Sequence, residues 1–164
     1  MISDLNPSRR LAGILAPHFA IRTESDLGIG DVGALEEFIG WAAETGFRVV
    51  QILPINETGA DNSPYNAVSA AALDPTTIRT DPDSIKELER QDFEEVLSGF
   101  DIAAMRTGPV DYPSVKRLKH ALLERAFRAF EPKLQRQSGR GRKFEAWCRA
   151  NRRWLDDYTL FRAL

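Results

Sequence analysis

With one cysteine, two histidines and two methionines among 164 residues, this sequence excludes several kinds of chemistry at once. Cys148 alone can form no disulfide within these residues and no multi-cysteine metal site, so a reducing, cytoplasmic setting is the expectation. His18 and His120 lie a hundred positions apart, and neither has a partner at metal-ligand spacing. With Cys148 they make no recognisable nucleophilic set, and both read as structural or solvated. Long apolar runs are missing too: nothing approaches the roughly 18 residues a membrane helix needs. The stretch from Leu11 to Ile21 is interrupted by Pro17 and His18 and has no small-residue cleavage site behind it, so it does not read as a signal peptide. Internal repeats are absent.

What is present is ordinary in bulk. The chain is 43% hydrophobic and 28% charged, with a net charge of -2, values that suit about one soluble globular domain. The charge is unevenly spread. Residues 1 to 114 carry 8 Lys+Arg against 19 Asp+Glu, whereas residues 115 to 153 carry 13 against 3. An acidic front and a basic back suggest two structural layers.

The front half reads as strand, helix, strand. Leu11 to Leu15 is a short apolar run, and "DLGIGDVG" leads from it to a helix over about Asp31 to Thr45. Asp31 suits the N-cap, Gly46 suits the left-handed residue beyond the end, and Leu35, Phe38, Ile39 and Ala42 share one face. Phe47 to Leu53 then reads as a second strand, apolar on both faces apart from Arg48 and Gln51, as in parallel sheets covered by helices. Such a βαβ unit has a right-handed crossover, and ligand sites sit beyond the C-terminal ends of its strands. After Pro75 the texture turns helical. A helix start is expected at Pro82, Asp83 and Ser84, and "TGPVDYP" reads as a turn. Val115, Leu118, Leu122, Ala126 and Phe130 form a stripe ended by Pro132. "RQSGRGR" reads as a flexible connection to a last helix carrying Phe144, Trp147, Asn151, Trp154, Tyr158 and Phe161. That pattern reaches Leu164 with no stop signal, which looks like truncation.

The loop after the second strand holds the richest chemistry. Asn56, Glu57, Thr58, Asp61, Asn62, Ser63, Tyr65 and Asn66 supply hydroxyls, amides and a flat ring, the groups with which proteins hold sugars. Pro64 fixes its own φ and restricts Ser63, so Tyr65 is presented at low entropic cost. A solvated loop with Tyr65 folded back is the plain alternative. Glu57 and Asp61 share the loop, but nothing in their spacing assigns an acid and a nucleophile. Gly28, Gly30 and Gly33 match G-x-G-x-x-G only formally. No strand runs directly into them and no acidic residue ends the second strand, so they read as turn glycines rather than a nucleotide fingerprint. The basic stretch from 115 to 153 could face phosphates, yet no base-stacking aromatics sit among its charges.

Taken together, "AGIL", "GIGDVG", "FIGWAAETGFRVVQILPI", "TGADNSPYNAVSAAALDP", "VDYPSVKRLKHALLERAFRAF" and "WLDDYTLFRAL" resemble the N-terminal part of the 4-alpha-glucanotransferases, the amylomaltase or disproportionating-enzyme family. The family usually has Trp where Val50 stands, Gly-Pro-Thr-Gly where Asn56-Glu57-Thr58-Gly59 stands, and Asn-Pro where Asp74-Pro75 stands. The resemblance implies an α/β chain forming an N-terminal piece of a (β/α)8 barrel. Residues 1–80 would be its first βαβ part and residues 81–164 a helical insertion. It implies cofactor-free transfer of alpha-1,4-glucan segments by a retaining mechanism, whose catalytic carboxylates come from later strands, so that this chain alone would be inactive. Ser63, Tyr65 and Asn66 would then line the glucan cleft. Two rival expectations are a complete carbohydrate-binding module without enzymatic activity, and a basic helical nucleic-acid-binding protein.

Overall fold

The computed structural model describes residues 10–164. Strand β1, Gly13–Leu15, and strand β2, Val49–Gln51, pair in parallel with Gly13 opposite Val49 and Leu15 opposite Gln51. Helix α1, Val32–Glu44, makes the crossover between them. Its start and end follow the sequence chemistry. The Asp31 carboxylate accepts hydrogen bonds from the N–H groups of Gly33 and Ala34, and Gly46 takes φ +90° just past the end. Both strands are shorter than their apolar runs, and burial on both faces is not what the structure has. Leu15 is 56% exposed and Val49 is exposed as well, because among the described residues no further strand or helix covers them.

The packed core lies elsewhere. Helix α2 spans Arg90–Leu97, α3 Ile102–Arg106, α4 Tyr112–Gln135 and α5 Gly139–Ala163. Val115, Leu118 and Leu122 of α4 are 0% exposed and pack with Leu88, Met105 and Ala126, and with Leu27 and Ile29 from the loop before α1. One apolar core thus joins the front of the chain to its helical part. Two glycines allow the close packing of this loop: a Cβ at Gly28 would lie 3.1 Å from Met105 and 3.2 Å from Val115, and one at Gly30 would lie 2.2 Å from the His18 carbonyl oxygen. This close approach gives the glycine-rich stretch a packing role.

Three boundaries differ from the sequence reading, each for a local reason. Residues 82 to 84 form turns rather than a helix start: Asp81 accepts from the Ser84 N–H and closes the chain on itself, delaying α2 to Arg90. Pro132 does not end α4, which runs to Gln135; proline removes only its own N–H donor, and the Pro132 carbonyl still accepts from Arg136. "RQSGRGR" is not a flexible connection either. Gln137 turns the chain at φ +48°, Ser138 caps α5 by accepting from Gly141, and the glycines become its first turn.

The opposed charges of front and back meet as ion pairs. Arg125 reaches Asp92 and Glu95, Arg140 and Lys133 reach Glu87, and Lys119 reaches Asp31. Four of the basic side chains of residues 115 to 153 thus reach back onto the acidic segment. No helix among the described residues is long and apolar enough to cross a membrane.

Candidate functional site

The segment leaving β2 is a folded loop with a tied base. Its two limbs pair at Asn56 with Leu73 and at Thr58 with Ala67, and backbone bonds join Glu57 to Ala72 and Val68, and Gly59 to Asn66. Asp74 closes the neck: one oxygen accepts from the Thr58 N–H and hydroxyl, the other from Thr76 N–H and hydroxyl. Burial pushes the Asp74 carboxyl up, but these hydrogen bonds together outweigh it and hold the group below its ordinary value.

At the tip, Asp61 organises the turn by accepting from the Ser63 N–H at 3.2 Å and the Asn66 side-chain amide at 3.0 Å. Asn66 also donates its backbone N–H to the Ser63 carbonyl, and the Ser63 hydroxyl accepts from Tyr65 N–H at 3.4 Å. Tyr65 itself is 76% exposed, with its ring on the solvent side of the loop. The structure thus brings Ser63, Tyr65 and Asn66 into one turn of the loop after β2, with the Tyr65 ring exposed and the Asn66 amide bonded to Asp61. Asn62, immediately before them, adopts φ +54° and accepts a hydrogen bond from the Lys116 ammonium at 2.5 Å.

Glu57 and Asp61, which sequence spacing left unassigned, turn out to be loop-building groups. Glu57 is buried, accepts from the Tyr158 hydroxyl, and pairs with Arg162 at 3.3 Å. Burial and this carboxylate push the Tyr158 hydroxyl up to about 12. His18 is also buried, and burial lowers its pKa below 6.5, while His120 stands exposed on α4. The sequence reading missed the partners contributed by α4 and α5. Lys116 lies 54 positions from Asn62 and Tyr158 lies 101 from Glu57, and a lysine or tyrosine on a helix gives no local sign of such a contact. Between the loop neck and these two helices lies a cavity of about 650 Å³, bordered by Thr58, Thr76, Lys116, His120 and Phe161.

Known proteins resemble this chain over nearly all of its length. The family described as 4-alpha-glucanotransferase matches residues 16–164. A 4-alpha-glucanotransferase of Chlamydia pneumoniae is 37% identical over 161 residues, covering 93% of this chain and 28% of that protein. One from Synechocystis sp. is 35% identical over 158 residues, covering 95% and 29%. Among solved structures, the amylomaltase from Streptococcus agalactiae in complex with acarbose superposes with a TM-score of 0.65 at 25% identity, over 92% of this chain and 28% of that one. The chain therefore spans less than a third of the length of these relatives. Matched by the family along nearly its whole described length, the chain belongs to the 4-alpha-glucanotransferase family.

Proposed function

We propose that this chain supplies the first strands of a (β/α)8 barrel, and one wall of the glucan cleft, in a cytoplasmic 4-alpha-glucanotransferase acting on starch, glycogen or maltodextrins. Within it, residues 1–80 give the barrel part and residues 81–164 a helical insertion that shares its core. The exposed ring of Tyr65 beyond the exit of β2 is the observation that carries the reading. A phenol ring on a turn held by Asp61 offers a flat apolar face to a glucose unit at little entropic cost, and Ser63 and Asn66 flank it with groups that can bond sugar hydroxyls. The acarbose-bound amylomaltase supports a glucan-like occupant.

Transfer by a retaining double displacement needs two carboxylates roughly 5 Å apart, one nucleophile and one acid/base. Neither acidic group of the loop suits either role: Glu57 is committed to Tyr158 and Arg162, and Asp61 to the turn. The reacting carboxylates then belong to the part of the enzyme that the relatives have beyond the matched stretch. Incubating the purified 164-residue chain with maltotriose tests the division of labour. No redistribution into glucose and longer oligosaccharides is expected, while acarbose perturbs the Tyr65 ring resonances in NMR spectra. Transfer products would overturn the proposed division. Ring resonances indifferent to acarbose and maltotriose alike would overturn the assignment of the loop.

A further inference from the structure

We propose that Lys116 is a positioning residue for the glucan-facing turn, holding Asn62 in a left-handed conformation so that Ser63, Tyr65 and Asn66 point outward. This rests on the glucan reading of that turn. Asn62 at φ +54° is the residue where the chain reverses into the turn, three positions before Tyr65. An L-residue pays for that conformation, and asparagine pays least because its short amide can bond locally. Here the local bonds are thin: the Asn62 amide nitrogen donates to the Ala60 carbonyl at 3.4 Å, and the Asn62 N–H to the Gly59 carbonyl at 3.2 Å. The strong contact comes from far away in the chain, the Lys116 ammonium on the Asn62 carbonyl oxygen at 2.5 Å. A charge-assisted bond is among the stronger polar contacts a side chain makes.

What makes Lys116 a reference point is the helix that carries it. On either side of it in α4, Val115 and Leu118 are buried in the core. One position further on, Lys119 donates to the Ile78 carbonyl at 2.6 Å and pairs with Asp31 at the cap of α1. Helix α4 is therefore fixed, within one turn of Lys116, to the loop before α1, the α1 cap and the Ile78 backbone, and Lys116 extends that fixed frame to the turn. The remaining partners of the turn, Asp61 with Ser63 and Asn66, belong to the loop itself and move with it. Without Lys116, Asn62 leaves the left-handed region and the turn that follows loses its orientation.

The test uses the 164-residue chain and a glycine rescue. Lys116→Met keeps the aliphatic stem and removes the donor. It is expected to weaken acarbose binding, followed by NMR titration, by about tenfold, the range of one lost bond to a charged group. Lys116→Arg should retain most of the affinity. Glycine adopts positive φ without side-chain strain, so Asn62→Gly added to Lys116→Met should recover most of the loss, which a merely destabilised fold would not allow. The amide to Cα-proton coupling constant of Asn62 reports φ without any ligand, and should move toward extended values in Lys116→Met. Unchanged affinity with an unchanged coupling constant, or a loss that Asn62→Gly leaves in place, would overturn the positioning role. A wild-type chain that binds no acarbose would sink the glucan reading instead, while the coupling constant still decides whether Lys116 holds Asn62.

Discussion

Helix α4 and the β1–α1–β2 unit both carry apolar faces, and the two faces meet opposite fates. The stripe of α4 is closed: Val115, Leu118 and Leu122 are sealed by partners from α2, α3 and the loop before α1. The βαβ unit is open: Leu15, Val49 and Ile39 face outward, and Trp41 stacks mainly on its own neighbours Phe38 and Phe47. A hydrophobic pattern announces that a face wants cover. It does not say whether the cover lies within the same residues. In α4 it does, and cutting Leu118 to Ala should cost about 4 kcal/mol in urea unfolding, the cavity range for a fully enclosed leucine. A loss below 1 kcal/mol would remove the distinction between the two regions.

The next effect concerns the joint between them. Lys119 is almost wholly buried, and burial lowers its pKa against the attraction of Asp31. Two carbonyl-type acceptors depend on it, the Ile78 oxygen and the Asp31 carboxylate that also caps α1. Lys119→Met leaves that carboxylate buried without its cation, and should cost about 3 kcal/mol by the same measurement. Adding Asp31→Asn removes the stranded charge yet keeps a good capping side chain, so the double variant should be more stable than Lys119→Met alone. If the two losses simply add, the pair is not the joint.

Much of this was legible beforehand, and the reasons divide cleanly. The α1 cap, the turn at Gly46, the parallel pairing and the α4 stripe follow from contacts within a few residues or from a simple period. Ser63, Tyr65 and Asn66 could be singled out because proline and small polar residues advertise a turn. The ends of elements were misplaced where one side chain decided them, as Asp81 delays α2 and Ser138 starts α5 early. Invisible altogether were the ties from α4 and α5 to the loop. They pair residues 54 and 101 positions apart, and only a folded chain brings those together.

The tie at Glu57 offers a smaller and more local effect. Tyr158→Phe removes one hydrogen bond to a buried carboxylate that keeps Arg162, so a loss of about 1.5 kcal/mol is expected. The same bond has a pH signature. Tyr158 ionises at an ordinary 10.0 when unfolded and at about 12 when folded. A raised folded pKa means that its contribution is complete below pH 10 and fades as pH climbs toward 12. Ultraviolet titration of the folded chain should show a component ionising near 12 that is missing from Tyr158→Phe. A latest component that persists unchanged in Tyr158→Phe would contradict the contact.

The smallest effect tests the open side of the comparison. Leu15→Thr and Ile39→Lys replace apolar side chains that already meet water, and threonine and lysine suit a strand and a helix respectively. Their cost in unfolding free energy should stay within about 0.5 kcal/mol. Their gain should appear instead in solution behaviour, because a contiguous apolar face drives self-association, and charge on it opposes that. Light scattering at rising protein concentration should show less association in the double variant than in the parent chain. Were the substitutions to cost as much as Leu118→Ala, these side chains would be enclosed, and the βαβ unit would already carry its own cover. Neutral stability with better dispersion is the behaviour of a face shaped to receive further strands and helices, as the proposed barrel requires.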